Sequence, residues 1–488
     1  MKTPSIKKNF IMNALLSMSS FIFPLITFPY VSRVLLPDGM GKVQFVTSFV
    51  AYFNIIAQLG IPTYGIRACA KVRENREELT RTVHELLLLN LLMCLLAYVG
   101  LGLSIACIPR VRQEKTLALI IGLTLLLNAL GMEWLYKALE QYTYITVRSV
   151  LFKLIAMAAM FLLVHSQEDY VVYGAITIFA ASASNLLNFI NARRFLSFRP
   201  VGGYDLRRHT RAVLVFFAMA CATTVYTNLD EVMLGFMKTN ADVGYYHAAV
   251  KIKTILVSLV TALGAVLLPR ASYYMEQGMK EAFKRITEKA LHFVLLAASA
   301  VMVYFMLFAR AGILLLSGSA FEPAVVPMQI IMPTVLLIGI TNVLGIQILV
   351  PLGKEVKVLY SEIAGALVDL VLNLLLIPRY GAAGAAVGTL AAEAAVLLVQ
   401  YCALRDMAAG LFRSFRYRNA LLALALAMVT SVWVLFCPFG SFLTLLISAC
   451  CFFGVYAVVL LWTKEPLMME LFEQMKAIVR NRLGKKEA

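Results

Sequence analysis

The chain has 488 residues, of which 61% are hydrophobic and only 15% are charged. Because soluble domains carry about 25% charged residues, this composition excludes a soluble protein and predicts a chain that lies mostly in lipid. The formal net charge of +17 would favour nucleic acid as the partner of a soluble protein. Here the bases lie between long apolar runs, so we expect no nucleic-acid partner.

Fourteen apolar segments follow one another along the chain, each long enough to cross a hydrocarbon core about 30 Å thick. They cover approximately residues 9–33, 43–65, 83–108, 116–137, 143–165, 169–192, 211–236, 243–268, 284–309, 324–351, 356–378, 382–404, 417–437 and 440–462. The first segment is too long for a signal peptide and lacks a small-residue cleavage site, so we expect it to stay as span 1. The sequence therefore predicts an all-α, polytopic membrane protein with fourteen transmembrane helices.

Basic residues cluster in alternate connections between the segments, and the intervening connections are poor in them. By the positive-inside rule this pattern places both termini in the cytoplasm, which requires an even number of spans and agrees with fourteen. One connection runs against the alternation: the stretch PRVRQEK, with Arg110, Arg112 and Lys115, would lie outside.

The first connection, in the stretch VSRVLLPDGMGKVQFV, places charged residues, a proline and two glycines between two apolar segments. We expect Pro37 to break the helix, and Gly39 and Gly41 to permit a sharp reversal. Asp38 is expected to cap the helix that follows. The geometry of a tight turn explains why these four residue types occur here, but it does not explain Arg33, at the end of span 1. A similar stretch, MKTNADVGYYHAA, recurs in the second half of the chain, and we hypothesise that such a turn closes an outer gate.

The two turns belong to an internal repeat. Gly41 aligns with Gly244, Pro62 with Pro269 and Tyr170 with Tyr380, so the offset drifts only from 203 to 207 to 210. We therefore predict an N-terminal lobe of spans 1–6 (residues 1–205) and a C-terminal lobe of spans 7–12 (206–410). Spans 13 and 14 and a basic cytoplasmic tail follow (411–488). Repeats of six spans run in the same direction, which implies a parallel pseudo-twofold axis and a cavity between the lobes, as in alternating-access transporters.

Four stretches resemble bacterial polysaccharide flippases of the O-antigen and capsule type, in the multidrug/oligosaccharidyl-lipid/polysaccharide exporter superfamily. They are FPYVSRVLLPDGMGKVQFVTSFVAYFNIIAQLGIPTYGIRACA, EWLYKALEQYTYITVRSVLFK, LDEVMLGFMKTNADVGYYHAAVKI and LIPRYGAAGAAVGT. The resemblance implies a V-shaped, fourteen-helix flippase with a central cavity. Such a protein moves undecaprenyl-pyrophosphate-linked oligosaccharide from the inner to the outer leaflet of the bacterial cytoplasmic membrane by alternating access. Its partners would be this substrate and membrane lipids, with other polysaccharide-assembly membrane proteins as candidates and a monomer as the default.

Six basic residues in or beside the spans are candidates for binding the pyrophosphate, because a base within a span is costly unless it faces a polar cavity. They are Arg33, Arg67, Lys153, Lys251, Lys253 and Arg270. The three arginines lie at span ends, where they could instead reach the lipid headgroups. The lysines at 251 and 253 lie inside span 8 about 200° apart around the helix, so we expect only one of them to face the cavity.

Acidic residues within the spans form a second set of candidates. They are Asp230 and Glu231 in span 7, Glu362 and Asp369 in span 11, and Glu393 in span 12. These carboxylates could couple transport to H⁺ or Na⁺, or could pair with the two lysines of span 8. In span 11 the spacing of residues 362, 369 and 373 stacks Glu362, Asp369 and Asn373 along one helix face.

Other functions compete with transport of a lipid-linked sugar. The chain contains no G-x-x-x-x-G-K-[ST] loop, so we do not expect it to hydrolyse ATP, and an ion gradient or consumption of the product would drive transport. A drug/cation antiporter of the same superfamily is the first alternative, although its cavity would be dominated by acids. A membrane glycosyltransferase or polysaccharide polymerase is the second, although such enzymes usually have large outer loops. We expect no enzymatic activity and no cofactor, and no metal because the eight cysteines lack CxxC pairs and nearby histidines.

Overall fold

The computed structural model describes residues 6–470, 472, 473 and 476. All regular elements in this part of the chain are helices, as predicted. They belong to two compact units, Met1–His247 and Ala248–Ala488. The predicted basic tail after span 14 lies largely outside the described residues. The six-span repeats, which rest on sequence similarity, stay a prediction.

The described helices follow one another closely. The first unit contains α1 (Ile6–Gln58), α2 (Ile61–Val72), α3 (Arg76–Cys107), α4 (Pro109–Gln113), α5 (Lys115–Gly131), α6 (Glu133–Ala138), α7 (Tyr142–Leu163), α8 (Tyr170–Ile178), α9 (Asn185–Asn191) and α10 (Arg207–Met237). Helix α11 (Asn240–Glu276) begins in this unit and continues into the second. There follow α12 (Lys280–Leu307), α13 (Ala309–Ser317), α14 (Val325–Ile331), α15 (Pro333–Thr341), α16 (Glu355–Arg413), α17 (Tyr417–Val432) and α18 (Ser441–Trp462).

Ten helical segments of the described chain are long and apolar enough to cross a membrane, or twelve if each of two bent helix pairs is one span. Two of the ten are too long for one crossing: the 62 residues of Ile11–Val72 would extend about 93 Å at 1.5 Å per residue. That segment breaks at Leu36, and the other, Glu355–Arg405, breaks at Gly381. Counting the two halves of each separately gives the fourteen spans predicted from the sequence.

Spans 1 and 5 run in the same direction through the first unit. Three hydrogen bonds connect them at one offset of 134 residues: Thr146 Oγ1 to the Met12 carbonyl (2.9 Å), Lys153 Nζ to Ser19 Oγ (2.9 Å) and the Tyr30 hydroxyl to the Val164 carbonyl (2.7 Å). In an antiparallel pair, the residue numbers of the partners on one helix would decrease while those on the other helix increased. Odd-numbered spans in a series of membrane hairpins must be parallel, so these contacts agree with the predicted order of spans.

The reversal between spans 1 and 2 occurs at Leu36, whose φ of 57° and ψ of 177° interrupt α1. Gly39 and Gly41 do not provide this reversal, contrary to the prediction, because both continue the helix of span 2. Pro37 begins that helix, at a position where its missing N–H costs no hydrogen bond. The expected non-helical connection is therefore a single residue.

In the second unit, spans 11 and 12 lie on either side of Gly381, with φ 54° and ψ −130°. The predicted polar face of span 11 packs against span 12. Asp369 and Asn373 are buried, and a Cβ atom on Gly388 of span 12 would meet both of their side chains. Stacking along one face is thus confirmed for these two residues, whereas Glu362 is only half-buried.

Candidate functional site

The turn between spans 1 and 2 packs directly against the turn between spans 7 and 8, and we call residues 37–41 and 240–244 the turn junction. A Cβ atom on Gly41 would overlap the backbone of the opposite turn, and so would one on Gly244, which faces the carbonyl group of Pro37. The two glycines that the repeat aligns therefore pack backbone against backbone. Glycine is required here for close approach and not for conformational freedom.

The acids of the two turns have different roles. Asp38 forms an ion pair with Lys42, with 2.9 Å between Oδ2 and Nζ, instead of the predicted cap. The same lysine ammonium lies 4.8 Å from the centroid of the Tyr170 ring in span 6. In the second turn, Thr239 is the N-cap of α11: its hydroxyl accepts from the N–H of Asp242 (3.2 Å), and the Asp242 carboxylate accepts from the N–H of Thr239 (3.3 Å). The second turn therefore has a capping box, with a threonine and not an aspartate as the N-cap residue, whereas the cap predicted for Asp38 is not formed.

Glu231, near the C-terminal end of α10, is buried and joins three spans through its side chain. Gln44 Nε2 donates to one carboxylate oxygen at 2.6 Å, and the Ser48 hydroxyl donates to the same oxygen. His247 Nδ1 lies 3.0 Å from the other oxygen. Since residues 44 and 247 each lie about one turn beyond a junction glycine, the carboxylate connects span 2 to span 8 directly beside the turn junction.

Asp230 repeats this pattern one residue earlier, because the hydroxyl of Tyr246 donates to its carboxylate. Both acids are 5% exposed. Consecutive acids of α10 therefore bind consecutive residues of α11. For Glu231 the partners are an amide, a hydroxyl and a histidine, and not the lysines of span 8 that the sequence offered as one possibility.

Arg110, in the connection that contradicts the charge alternation, is part of this site. Its Nε donates to the Gly235 carbonyl at 2.8 Å, and its Nη2 donates to the side-chain oxygen of Asn240. The guanidinium also lies 5.3 Å from the centroid of the Phe45 ring. Gly235 is in the last turn of α10, whose unsatisfied carbonyls and negative dipole end favour a cation. The arginine thus fastens the end of span 7 to the first residue of α11.

The structure divides the six candidate bases between the two units. Arg33, Arg67 and Lys153 belong to the first unit, and Lys251, Lys253 and Arg270 to the second. The three arginines are exposed, as their possible contact with headgroups requires. Arg33 donates to the Pro29 carbonyl of its own helix, and Arg270 Nε donates to the Tyr274 hydroxyl at 3.0 Å. The lysines of span 8 are both half-buried.

Lys153 differs from the arginines because it lies in the middle of α7 and is half-buried. Its ammonium donates to Ser19 Oγ at 2.9 Å and to Ser20 Oγ at 3.0 Å, both in span 1. Across the described residues it forms no ion pair with a carboxylate, so two neutral hydroxyls are the partners of this cation.

Residues 6–275 match the profile of a protein family described as "Polysaccharide biosynthesis protein". The chain belongs to this family. The matched range contains the whole turn junction, Glu231, Arg110 and the six candidate bases. Asp369 and Glu393, which are both buried, and Glu362 lie beyond it.

Relatives and solved structures agree with this assignment. A protein of Escherichia coli (strain K12), provisionally named an O-antigen transporter, is 24% identical over 398 residues, which are 80% of this chain and 95% of the relative. A protein of the same name from Shigella dysenteriae is 24% identical over 411 residues, 80% of this chain and 98% of that one. The fold is similar to that of Lipid II flippase MurJ in an inward closed conformation, with a TM-score of 0.69, 15% identity, and coverage of 93% of this chain and 99% of that chain. It is also similar to an inward-facing MATE family transporter of the MOP superfamily, with a TM-score of 0.62, 14% identity, and coverage of 83% and 99%.

The first unit has a second buried carboxylate network, which was not predicted from the sequence. Glu85, in α3, is fully buried and accepts hydrogen bonds from Arg208 Nε (2.9 Å), His209 Nε2 (2.7 Å) and the backbone N–H of Asp205 (2.8 Å). The other ring nitrogen of the histidine is 2.8 Å from the Tyr64 hydroxyl in α2. The network fastens the start of span 7 to spans 2 and 3. The signal in the sequence was an acid at the start of an apolar segment (83–108) that follows a basic connection.

Proposed function

We propose that the protein is a flippase that moves undecaprenyl-pyrophosphate-linked oligosaccharide from the inner to the outer leaflet of the bacterial cytoplasmic membrane by alternating access, for polysaccharide export. Family membership and the two O-antigen transporters support transport in polysaccharide synthesis. The fold shared with a Lipid II flippase is compatible with a substrate that carries a lipid chain.

The observation that carries the proposal is the position of Lys153. A charged side chain at the centre of a span costs about 2.5–3.5 kcal/mol on insertion scales, and the hydroxyls of Ser19 and Ser20 do not neutralise it. A pyrophosphate supplies the missing negative charge, whereas the cationic substrate of a drug antiporter would be repelled. One of Lys251 and Lys253, which are both half-buried in span 8, is a further candidate for binding pyrophosphate, and Arg33, Arg67 and Arg270 are weaker candidates at the span ends.

The turn junction is proposed as the outer gate. Its four predicted residues, Pro37, Asp38, Gly39 and Gly41, begin span 2 and lie at or next to the backbone contact with residues 240–244. The two backbones touch at Gly41 and Gly244 with no side chain between them, and the hydrogen bonds of Glu231 and Arg110 beside this contact would have to break for the turns to separate. Alternating access requires such a contact on each side of the membrane, closed in one state and open in the other.

Ion coupling and location complete the proposal. Asp230, Glu231, Glu362, Asp369 and Glu393 are the candidates for binding H⁺ or Na⁺ during the cycle. Both termini would lie in the cytoplasm, as the distribution of bases favours. The protein would act as a monomer among membrane lipids, with other polysaccharide-assembly membrane proteins as candidate partners.

The test compares lipid-linked oligosaccharide on the cytoplasmic face of cells that lack the protein with cells that carry variants. Accumulation is expected in the deletion strain, in Lys153→Ala, and in Lys251→Ala combined with Lys253→Ala. Lys137→Ala is the control, because this lysine forms a half-exposed ion pair with Glu133 (2.9 Å) and its loss removes the same charge. A deletion strain without accumulation would contradict the proposal. If that strain were instead hypersensitive to cationic drugs, the antiporter alternative, which the MATE-like fold keeps open, would take its place.

A further inference from the structure

A groove lies between spans 1 and 5 in the first unit. Its walls are residues 12–23 of span 1 and residues 146–154 of span 5, and its volume is about 520 Å³, within the range of about 300–1,000 Å³ that is typical of ligand sites. We call it the span 1–5 groove.

The lining of the span 1–5 groove is apolar apart from two hydroxyl groups, and both are already engaged. Thr146 Oγ1 donates to the Met12 carbonyl at 2.9 Å, and Ser19 Oγ accepts from Lys153 Nζ at 2.9 Å. The remaining lining residues, such as Leu15 and Leu151, offer only hydrocarbon. A ligand that fills this groove must therefore itself be a hydrocarbon chain.

The ammonium group of Lys153 lies beside the groove. Lys153 bonds to Ser19, which lines the groove, and the neighbouring Leu154 is a lining residue as well. Apolar surface and a positive charge without a salt bridge to any described residue, at one place, match a ligand that joins a hydrocarbon chain to an anionic group. Phospholipids and polyprenyl phosphates both have this chemistry.

The depth of Lys153 distinguishes between these two ligands. It lies eleven residues from the start and ten from the end of α7 (Tyr142–Leu163), about 15–17 Å from either end at 1.5 Å per residue. The phosphate of a resident phospholipid stays at the membrane surface, about half the bilayer thickness away from this depth. A phosphate that reaches Lys153 must belong to a lipid whose headgroup is crossing the membrane.

We propose that the span 1–5 groove holds the polyprenyl chain of the lipid-linked oligosaccharide while Lys153 holds its pyrophosphate midway through the crossing. This inference rests on the proposed function and adds a binding site for the chain. The tail then stays against protein hydrocarbon as the headgroup passes the middle of the membrane, so that the two ends of the substrate are bound at adjoining places.

The experiment measures the dissociation constants of undecaprenyl pyrophosphate and of undecaprenol for the purified full-length protein in detergent. Leu15→Trp and Leu151→Trp fill the groove. Their controls are Leu25→Trp and Leu163→Trp, on the same two helices but outside the groove, with nearly equal exposure (48% and 46% on span 1, 52% and 55% on span 5). The groove variants should bind both ligands at least tenfold more weakly than wild type, and the control variants should stay within twofold.

Lys153→Ala distinguishes binding of the pyrophosphate from binding of the polyprenyl chain. It should weaken undecaprenyl pyrophosphate at least tenfold and leave undecaprenol, which has no phosphate, within twofold of wild type. Size-exclusion profiles like that of wild type show that each variant is folded, and each groove position is tested separately in case one tryptophan is not tolerated.

Two results would overturn the inference. The groove has no role if the groove and control variants bind undecaprenyl pyrophosphate equally well, and the proposed function survives in that case if cells lacking the protein still accumulate substrate. The occupant is an ordinary lipid if phosphatidylglycerol competes as strongly as undecaprenyl pyrophosphate for wild type. Absence of accumulation in the deletion strain would instead remove the proposed function.

Discussion

Gly41 and Gly244 lie against each other's turns: a Cβ atom on Gly41 would overlap the carbonyl group of Asn240, and one on Gly244 would overlap the carbonyl group of Pro37. The two glycines are equivalent positions in the sequence repeat. Each half of the repeat therefore contributes a turn that has no side chain at the point of contact. A flat surface on both sides allows two helix ends to meet backbone to backbone. Any side chain at either position would keep the turns apart.

Replacement of Gly41 by alanine should open the turn junction. The new methyl group would overlap the backbone of the opposite turn, and overpacking of this kind costs about 1–3 kcal/mol. We expect a lower midpoint of thermal unfolding for the detergent-solubilised protein and at least a tenfold loss of transport in the accumulation assay. The control is Gly102→Ala in span 3, where a Cβ atom would meet nothing within 4 Å. Equal stability and transport in the two variants would show that the turns do not pack tightly.

Replacement of Glu231 by alanine should destabilise the first unit. It removes the acceptor of Gln44, Ser48 and His247, and each buried donor left without a partner costs about 1–3 kcal/mol. We expect a loss of about 3 kcal/mol, seen as a lower unfolding midpoint, and partial recovery in Glu231→Gln, which keeps one acceptor oxygen. Glu168→Ala, at an exposed acid of the same unit, should leave the midpoint unchanged. A Glu231→Ala protein as stable as this control would mean that the three hydrogen bonds contribute nothing.

The number of spans and the parallel course of spans 1 and 5 could be predicted from the sequence because the membrane imposes them, whereas the side on which each terminus lies stays a prediction. Each crossing needs about 20 apolar residues, and the bases in alternate connections predict which connections face the cytoplasm. The constant offset between the partners of Thr146, Lys153 and Val164 agrees with that order. Stacking of Asp369 and Asn373 was also predictable, because a spacing of four residues is a property of one helix.

The contacts of the candidate site could not be predicted in the same way. Glu231 meets Gln44 across 187 residues of chain, and no periodicity within one helix contains that information. The role of Gly39 and Gly41 was predicted wrongly because the reversal occurs at Leu36, where a leucine adopts positive φ. For Arg110 the sequence did hold a signal, since it broke the alternation of charge, but its partner became clear only from the packing of span 7 against the turn.

Replacement of Arg110 by alanine should loosen the end of span 7. The guanidinium donates to the Gly235 carbonyl and to the Asn240 side chain, and hydrogen bonds from a charged group contribute about 1.5–3 kcal/mol each. Because this side chain is partly exposed, we expect a loss at the lower end, about 2 kcal/mol, with reduced transport. Arg112→Ala is a close control, since Arg112 is exposed in the same short helix and its loss changes the charge of the connection equally. If both variants lost the same stability and transport, the charge of the connection would be responsible, and not the hydrogen bonds of Arg110 to Gly235 and Asn240.

Replacement of Glu85 by alanine should release the start of span 7 from span 3. It leaves the buried His209 and the guanidinium of Arg208 without their carboxylate, and breaking a fully buried charge pair costs about 3–5 kcal/mol. Because the Arg208 side chain is 36% exposed and regains water, we expect about 2–3 kcal/mol, measured as the free energy of unfolding of the solubilised protein. Glu77→Ala removes a 71% exposed partner of Arg81 from the same helix and should cost about 0–1 kcal/mol. The double variant Glu85→Ala/His209→Ala should lose less than the sum of the two single losses, because both remove one shared hydrogen bond; strict additivity would contradict the network.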